Sequence, residues 1–313
     1  MNSLNEKIIL VTGATGFIGT HLVKRLSEIA GVKLLLLSRR LQEVNQKKEL
    51  WLHGELADLV PEFWRSHNID HIDYVFHLGS FTPKITSEAN QIDQIVNDNI
   101  LGTHTLLRGL PGKLKKLVFA STLDVYASTE RGEVLNESSK IAPISLYGAS
   151  KLFCEKMVDT WAKEEGCEVS ILRYGHIYGP GESKYKKFIP LVIRSLLNNQ
   201  APLVNGDGSA LRDYLYVEDV VEATIRSALV HGDIGPLNIV RGSSVALKEV
   251  ALSLIKLMGS SQSITFNSEA LNGSSLRFDN ERMTRLLGDW PMIDLEEGLK
   301  AEIAAFRRVE DEC

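Results

Sequence analysis

Tyr147 and Lys151 form a pair of residues that is able to do proton chemistry. They lie four residues apart at the start of a predicted helix, and residues at i and i+4 share one face of a helix. A free tyrosine has a pKa of about 10, and a nearby cation lowers that value by favouring the phenolate. Tyr147 with a lowered pKa would exchange a proton with a sugar or alcohol hydroxyl. Taken alone, this spacing more often marks the start of an amphipathic helix, so other residues must decide between the two interpretations.

A glycine-rich turn near the N-terminus supplies the second feature. Residues 7–12 (KIILVT) are typical of a buried parallel strand. Gly13, Gly16 and Gly19 follow, and a helical pattern begins at Phe17. In a strand–turn–helix unit such glycines permit a tight turn, close approach to a pyrophosphate and packing of the helix on the strand. The unit predicts a dinucleotide site, although the first glycine interval is wider than in the common fingerprint. The alternative is a βα turn without a ligand.

Two arginines follow the second predicted strand, residues 32–37. A site for NAD normally places an acidic residue here to bind the ribose 2′-hydroxyl, whereas arginine accommodates the 2′-phosphate of NADP. Arg39 and Arg40 therefore predict that NADP(H) is favoured, with NAD(H) as the other candidate. The alternative is that both arginines are surface charges and that either cofactor binds.

Further strand-like runs alternate with helical patterns along the first half of the chain. The runs are residues 50–52, 74–78, 116–120 and 169–174. This alternation predicts an α/β fold, a Rossmann-type doubly wound parallel sheet. Ligands of such sheets bind outside the carboxyl ends of the strands.

The residues that follow these strands are therefore candidates for the site. Glu55 and Leu56 are expected near an adenine. Gly79 and Ser80 are small and leave room for a cofactor. Thr122 follows the fifth strand and has a hydroxyl that could hydrogen-bond a reacting oxygen.

The sequence changes in character after Tyr174. Short strands, a hairpin-like turn at residues 206–208 and amphipathic helices replace the regular alternation. These residues are expected to form a smaller, mostly C-terminal substrate-binding lobe over the carboxyl end of the sheet. The predicted Rossmann domain comprises residues 1–175 with about 215–240, and the predicted lobe comprises residues 176–214 and 241–313.

Composition narrows the class of protein. The chain has 313 residues, is 44% hydrophobic and carries a formal charge of −5, which argues against nucleic acid as a partner. Its three cysteines lack a Cys-x-x-Cys pattern, so neither a disulfide framework nor a metal site is expected. There is no signal-like leader and no apolar run of membrane-spanning length. We expect a cytoplasmic protein without a membrane partner.

With these pieces in place, the chain resembles the extended short-chain dehydrogenase/reductase family, in its nucleotide-sugar epimerase/dehydratase branch. The matching motifs occur in family order across nearly the whole chain. They are GATGFIG at 13–19, FHLGS at 76–80, Asn99 with Gly102 and Thr103, STLDVY at 121–126, YGASK at 147–151, LRYGHIYGPG at 172–181 and GDGSALRDYLYVEDV at 206–220.

The resemblance implies roles for individual residues. Tyr147 would be the catalytic acid/base. Lys151 would lower the pKa of Tyr147 and bind the nicotinamide ribose. The Thr122 hydroxyl would hold the reacting oxygen. Arg212 would grip the diphosphate of a nucleoside-diphosphate sugar, a task that suits a bidentate guanidinium; the alternative is a structural ion pair with Asp213 or Glu218. The cofactor contacts implied or predicted are Gly13, Thr15, Gly16, Phe17, Ile18, Gly19, Arg39, Arg40, Glu55, Leu56, Leu78, Gly79, Ser80, Asn99, Tyr147, Lys151, Tyr174, His176 and Ile177. The substrate contacts are Phe81, Thr122, Leu123, Asp124, Tyr147, His176 and Arg212.

Departures from the family pattern bear on the reaction. The 4,6-dehydratases of the family resemble one another in an Asp-Glu pair after the active-site threonine, and this chain has Leu123 and Asp124 there. Leucine transfers no proton, so 4,6-dehydration is not expected. His176 stands where many members have an asparagine that contacts the substrate phosphates. The alternatives for His176 are the same contact or a packing role. Glu55 replaces the usual aspartate near the adenine.

The expected function is NAD(P)-dependent redox chemistry on a nucleoside-diphosphate sugar. Arg39 and Arg40 slightly favour an NADPH-dependent reductase of a 4-keto sugar, and the alternative is an NAD-dependent 4-epimerase that returns the hydride to the opposite face. A third hypothesis is a non-catalytic cofactor-sensing protein, although such proteins typically lack the Tyr or the Lys. Family members often form homodimers through the helices that correspond to residues 97–110 and 147–159, and the same partner is expected here.

Overall fold

A seven-stranded parallel sheet lies at the centre of the structure. The structure is a computed structural model that describes residues 4–42, 48–83, 88, 91–127, 133–269 and 275–311. Its strands are β1 Ile8–Thr12, β2 Lys33–Ser38, β3 Glu49–His53, β4 Tyr74–His77, β5 Lys116–Thr122, β6 Val134–Leu135, β7 Glu168–Tyr174, β8 His176–Tyr178, β9 Leu203–Asn205, β10 Leu211–Tyr216, β11 Gly235–Ile239, β12 Ser244–Ala246, β13 Thr265–Asn267 and β14 Arg277–Phe278. The central sheet has the order β11-β7-β5-β4-β1-β2-β3.

Helices cover both faces of this sheet. The α-helices of the described residues are α1 Phe17–Ser27, α2 Pro61–Ser66, α3 Ile92–Gln94, α4 Gly102–Gly109, α5 Leu146–Glu165, α6 Phe188–Leu197, α7 Val217–Leu229, α8 Leu247–Met258, α9 Glu281–Leu287 and α10 Leu295–Asp311. Alternate strand residues face opposite layers, as the pleat requires. Val11 and Leu36 share a core with α1 and α7, whereas Leu10 and Leu35 share one with α4 and α5. The predicted Rossmann-type doubly wound sheet is confirmed.

The strand order reverses between β1 and β4. The connections that follow these two strands leave in opposite directions, which opens a crevice at their carboxyl ends. Two glycines let the loops approach each other there, because a Cβ on Gly13 would lie 2.8 Å from the Gly79 nitrogen. The crevice is therefore set by backbone packing.

Smaller sheets accompany the central one, and their strands alternate with its last strands along the chain. β8, β10 and β12 form one, β9 and β13 a second, and β6 and β14 a third. The segment predicted to return to the main sheet supplies α7 and β11. The division into two domains stays a prediction.

Two local expectations need correction. The turn at residues 206–208 exists, but it does not form a hairpin, because β9 pairs with β13 while β10 pairs with β8 and β12. A partner from a distant part of the chain replaces the neighbouring strand, which local turn residues do not encode. The helix predicted over residues 97–110 begins earlier and is not regular throughout, because α3 leads into a π-helical turn at Ile95–Leu101 that continues as α4.

Two possible features are not observed in the described part of the chain. None of its helices combines the length and the apolar character needed to cross a bilayer. Within the same residues, no three side chains of His, Cys, Asp or Glu gather in a way that could hold a metal ion.

A buried ion pair fastens α5 to the sheet. Both Glu155 oxygens accept hydrogen bonds from Arg173 on β7, at 2.9 and 2.7 Å. The Ser121 hydroxyl on β5 donates to the same carboxylate at 2.6 Å. Glu155 and Arg173 are 2% and 4% exposed, so neither charge has access to water as an alternative partner.

We therefore expect Glu155→Ala to destabilise the fold by about 3–5 kcal/mol, because it leaves the Arg173 charge buried and unpaired. Urea unfolding measures the difference. Glu164→Ala, an exposed change on the same helix, is the control and should shift the free energy of unfolding by less than about 0.5 kcal/mol. Equal effects of the two changes would contradict the assigned role of the pair.

Candidate active site

The carboxyl ends of four neighbouring strands bring the predicted site residues to one edge of the sheet. Thr12 at the end of β1 lies opposite His77 at the end of β4. Thr122 at the end of β5 lies opposite Tyr174 at the end of β7. Parallel register places these strand ends side by side, as the sequence pattern predicts.

The glycine turn has a geometry that fits a pyrophosphate. Gly13 has a φ of +72°, a region that favours glycine, and its carbonyl accepts a hydrogen bond from the Gly16 nitrogen at 2.9 Å. A Cβ on Gly19 would lie 2.0 Å from the Gly13 oxygen, so only glycine fits there. Helix α1 starts directly after Gly16, without a side-chain cap or an acidic residue in its first turn. Its N-terminus therefore suits an anion.

A buried polar chain holds the loop after β4 against this turn. The Thr12 hydroxyl lies 2.7 Å from His77 Nδ1 and accepts a hydrogen bond from the Gly79 nitrogen at 2.9 Å. His77 Nε2 lies 2.9 Å from the Thr103 hydroxyl. Burial lowers the pKa of His77 to about 3, so the imidazole is neutral and each ring nitrogen has one hydroxyl partner. Leu78 and Ser80, also predicted as cofactor contacts, are half-buried on the same loop.

The part of the site that is predicted to bind the adenine end of the cofactor is more exposed to solvent. Arg39 and Arg40 are both exposed, and Arg39 Nη1 lies 3.7 Å from Asp98 Oδ2. The Glu55 nitrogen donates to Asp58 Oδ2 at 2.8 Å at the start of a short 3₁₀ turn. Leu56 packs against α4, because a Cβ on Gly102 would lie 2.9 Å from the Leu56 Cβ. Thr15 is exposed and Ile18 is half-buried at the glycine turn.

Asn99 joins three parts of the site. Its Oδ1 accepts a hydrogen bond from the Phe81 nitrogen at 2.7 Å, and its Nδ2 donates to the Ser150 hydroxyl at 3.1 Å. The Ser150 hydroxyl in turn donates to the Tyr147 carbonyl at 2.7 Å. Asn99 lies in the π-helical turn, a distortion often found at functional sites.

The three predicted catalytic residues meet where α5 reaches the end of β5. The Ser145 hydroxyl caps the helix by accepting from the Gly148 nitrogen at 3.0 Å. The helix lies so close to the strand end that a Cβ on Gly148 would be 2.4 Å from the Asp124 oxygen. As a result, the Tyr147 side chain lies within hydrogen-bonding reach of Thr82 and of Thr122. Lys151 lies one turn further along α5 and is 2% exposed.

The electrostatics of this pair differ from the expectation. Burial raises the pKa of Tyr147 above its ordinary value, and the Asp124 carboxyl raises it further, while the hydrogen bonds to Thr82 and Thr122 act in the opposite direction. The predicted lowering of the Tyr147 pKa by Lys151 is wrong for this structure, because desolvation outweighs attraction. Burial lowers the pKa of Lys151 itself to about 8, and its Nζ lies 4.3 Å from the centre of the Phe119 ring.

The predicted substrate side contains a group of basic side chains. His176 on β8 lies opposite Tyr214 on β10, two residues after Arg212. Burial lowers the pKa of His176 to about 3, and the positive charges of Arg212 and Lys187 lower it too. The influence of both charges on one imidazole indicates that Lys187, His176 and Arg212 lie near one another. We call these three residues the basic group.

Other predicted residues have positions that a sequence pattern does not show. The Tyr174 hydroxyl lies 2.8 Å from the Thr224 hydroxyl of α7. Ile177 is buried in the core that contains α1 and α7. Leu123 is buried beside Val240, so it is a packing residue at the edge of the site. Asp124 reaches solvent from a concave position, and the surrounding protein raises the pKa of its carboxyl.

Sequence reasoning missed three residues that the structure brings to the site. Thr82 hydrogen-bonds Tyr147, Lys187 belongs to the basic group, and the Tyr185 ring lies 6.2 Å from that of Phe17. The run Lys184-Tyr185-Lys186-Lys187 was a visible signal, since it combines cations with an aromatic ring directly after the GPG motif. Thr82 gave no comparable signal. The roles of all the predicted site residues stay predictions.

A doubly wound sheet with a glycine turn at its switch point is the architecture of dinucleotide-binding proteins. The chain belongs to the NAD dependent epimerase/dehydratase family, whose model matches residues 9–239. The predicted membership of the extended short-chain dehydrogenase/reductase family, in its nucleotide-sugar branch, is thereby confirmed. It is a family of NAD-dependent enzymes.

Three known proteins illustrate the similarity. A trifunctional UDP-glucose 4,6-dehydratase/UDP-4-keto-6-deoxy-D-glucose 3,5-epimerase/UDP-4-keto-L-rhamnose-reductase of Arabidopsis thaliana is 30% identical over 96% of this chain, and this chain spans only about half, 47%, of its length. The solved UDP-N-acetylglucosamine 4-epimerase of Methanobrevibacter ruminantium M1, in complex with UDP-N-acetylmuramic acid, has a TM-score of 0.84 at 25% identity, covering 97% of this chain and 99% of that one. MoeE5 in complex with UDP-glucuronic acid and NAD has a TM-score of 0.81 at 30% identity, covering 96% and 99%.

The lowered pKa of Lys151 predicts a dependence of stability on pH. Its pKa is about 8 in the folded protein against an ordinary value of 10.5, so the native state binds fewer protons than the unfolded state between these values. The free energy of unfolding should therefore rise with pH across this window, by about 3 kcal/mol relative to Lys151→Met. Urea unfolding at several pH values measures both proteins.

Lys156→Met is the control for that experiment, since Lys156 is exposed on the same helix. Its unfolding should follow the pH dependence of the wild-type protein. Parallel pH profiles for the wild-type protein and Lys151→Met would contradict a desolvated Lys151.

Proposed function

We propose that the protein is an NAD-dependent 4-epimerase of a uridine-diphosphate sugar. The observation that carries the proposal is that the Tyr147 phenol lies within hydrogen-bonding reach of Thr122, in the same site as the dinucleotide-type glycine turn and the basic group. A sugar bridging these two regions would place its ring hydroxyls beside a phenol. NAD would supply a hydride acceptor that becomes the hydride donor.

Tyr147 would move the proton. In the oxidation step it accepts the proton of the sugar 4-hydroxyl, and in the reduction step it returns a proton to the new alkoxide. Its raised pKa favours the phenol, which is the form that donates in the reduction step, whereas the oxidation step would begin from the phenolate. Lys151, on the same face of α5, is the buried cation that would compensate a phenolate during oxidation. Thr122 would hold the reacting oxygen while Tyr147 acts.

The basic group would bind the diphosphate. Arg212 offers a planar fork of donors, and Lys187 offers a compact positive charge. His176 is neutral in the structure and has a buried Nδ1 without a hydrogen-bond partner among the described residues. Such an atom in a polar pocket suits a substrate oxygen or hydroxyl. Asp213, the suggested alternative partner of Arg212, accepts hydrogen bonds from the Arg241 and Gly242 nitrogens at 2.8 and 2.9 Å.

The relatives support uridine nucleotides and epimerisation. The Methanobrevibacter ruminantium protein is a UDP-N-acetylglucosamine 4-epimerase, and the structure of MoeE5 contains UDP-glucuronic acid and NAD. The Arabidopsis relative includes a dehydratase activity. The buried Leu123 argues against dehydration here, because that position carries no carboxyl to assist the elimination of water.

An NADPH-dependent 4-ketoreductase is the second candidate. Arg39 and Arg40 favour it, since both are exposed at the end of β2 where a 2′-phosphate would lie. The contact of Arg39 with Asp98, at 3.7 Å, weakens this support because it gives the arginine another partner. We therefore place the epimerase first.

The outer face of the π-helical turn and α5 would suit the interface of a homodimer. Leu101, Leu146 and Phe153 are 51%, 43% and 55% exposed on these helices. Large apolar side chains grouped on a surface often mark an interface. A second copy of the chain, packed through the same helices, is the partner we propose.

The first test is the cofactor content and the reaction. We expect the purified protein to release about one NAD per chain on acid treatment and to interconvert a pair of 4-epimeric UDP-sugars without added cofactor. Tyr147→Phe should lower kcat by at least about 100-fold, because it removes the group that transfers the proton, while UDP binding by calorimetry stays unchanged. Tyr74→Phe, at the opposite end of the sheet, is the matched control.

Two results would contradict this function. Stoichiometric oxidation of NADPH by a 4-keto UDP-sugar, catalysed by protein that carries no nucleotide, would establish the reductase. Full biological activity of Tyr147→Phe would exclude both enzymes and indicate the cofactor-sensing protein.

A second test separates the two cofactors. For the epimerase, Arg39→Ala with Arg40→Ala should leave NAD binding within about twofold. For the reductase, the same double variant should weaken NADPH binding by about 10- to 100-fold, because it removes charged hydrogen bonds to the 2′-phosphate. Arg65→Ala with Arg108→Ala, both exposed, is the control for lost positive charge. Selective loss of NADPH binding would reverse our order of preference.

A further inference from the structure

Two carboxyl groups are buried beside the basic group. Glu182 lies in the 3₁₀ turn after β8 and is 2% exposed, and Glu302 lies in α10 and is 0% exposed. Helix α10 approaches β8 very closely, because a Cβ on Gly298 would lie 2.2 Å from the Tyr178 hydroxyl. Glu302 is one helical turn after Gly298, so it faces the same way.

The hydrogen bonds around these carboxyls require a proton. Glu182 Oε1 pairs with Lys187 Nζ at 3.0 Å. If both carboxyls were ionised, Glu182 Oε2 and both Glu302 oxygens would lack a side-chain donor in the described part of the chain. The two carboxyls are within hydrogen-bonding reach of each other. Ionised carboxylates only accept, so a bond between them needs one to be protonated.

The surroundings favour Glu302 as the proton carrier. Burial raises the pKa of both carboxyls, and the neighbouring Glu182 raises the pKa of Glu302 further. Lys187 acts in the opposite direction, more directly on Glu182. A protonated Glu302 thus donates to a Glu182 carboxylate that is paired with Lys187. The other groups that face the pair are the Gly179 nitrogen, Tyr178 of β8, Tyr214 and Tyr216 of β10, and Tyr185.

Residues 179–187, which we call the 179–187 loop, connect this pair to both halves of the site. The Pro180 carbonyl lies 2.8 Å from His21 Nε2 of α1. The Tyr185 ring contacts that of Phe17 at the glycine turn. At its end, Lys187 belongs to the basic group. A change in how α10 holds the loop would therefore reach the substrate side.

We propose that Glu302 is a positioning residue for substrate binding: it shares one proton with Glu182, and the resulting pair holds the 179–187 loop so that Lys187 faces the substrate diphosphate. The inference rests on the proposed function in one respect, the role of Lys187. Loss of the shared proton leaves two adjacent negative charges in a buried place. The loop then separates from α10, and Lys187 moves with it.

The test is the affinity for UDP as a function of pH. Calorimetry at a series of pH values above 4.5 should show that wild-type affinity falls as the pair loses its proton, by up to about tenfold per pH unit, which is the limit for one proton. Glu302→Gln keeps a permanent N–H donor to Glu182, so its affinity should match the wild-type value at low pH and stay nearly constant. Glu302→Leu should bind UDP weakly at every pH. The exposed Glu297 of the same helix provides the control Glu297→Gln, which should follow the wild-type profile.

Unfolding in urea without nucleotide separates the pair from the function. A raised carboxyl pKa means that the native state binds more protons than the unfolded state above pH 4.5. The unfolding constant of the wild-type protein should therefore rise with pH, by up to about tenfold per unit relative to Glu302→Gln.

Two outcomes would overturn different conclusions. Wild-type protein and Glu302→Gln that bind UDP with the same pH profile would overturn the positioning role and leave the proposed function intact. Failure of the wild-type protein and of all the variants to bind UDP, together with the expected difference in unfolding, would overturn the proposed function and the role of Lys187, while the shared proton would stand.

Discussion

The contact between the first turn of α5 and the end of β5 is the constraint on which the site depends. A Cβ at Gly148 would lie 2.4 Å from the Asp124 carbonyl oxygen, so the helix can dock there only because it carries a glycine. This docking brings the Tyr147 hydroxyl to Thr122, a residue 25 positions earlier in the chain. The buried Glu155 carboxylate then secures the helix to two strands of the sheet. The arrangement of the proposed catalytic residues therefore follows from backbone packing first and from side-chain hydrogen bonds second.

Burial rather than charge pairing determines the protonation states of the site. Desolvation lowers the pKa of His77 and of His176 to about 3 and raises that of Tyr147. These groups are neutral near pH 7, and Lys151, with a pKa of about 8, is close to losing its charge. A site of this kind holds little charge of its own along the cofactor side. A charge on a bound ligand would therefore have a strong effect on the pKa of the Tyr147 phenol, since few other charges lie nearby.

Local patterns made much of the fold predictable. The order of the strands along the chain and the glycine turn depend on periodicity and on turn residues, and these are visible in the sequence. Contacts between distant residues were not predictable in this way. Nothing local links Glu182 to Glu302, 120 residues later, or shows that Lys187 approaches His176. The Tyr147 pKa was misjudged for the same reason, because a lysine four residues away is visible in the sequence and the depth of burial is not.

Asp124 links the residues proposed to bind the substrate with those proposed to transfer the proton. Its carboxyl raises the pKa of Tyr147, and Lys187 of the basic group lowers the pKa of Asp124. The position before it is a buried leucine, so Asp124 acts without the second carboxyl that a dehydratase would place there. A diphosphate that engages Lys187 would weaken the hold of that lysine on Asp124. The pKa of the Asp124 carboxyl would then rise, so its negative charge and its influence on the phenol would decrease. The residues proposed to grip the nucleotide and those proposed to move the proton thus influence one another electrostatically, although they come from different lobes of the predicted division.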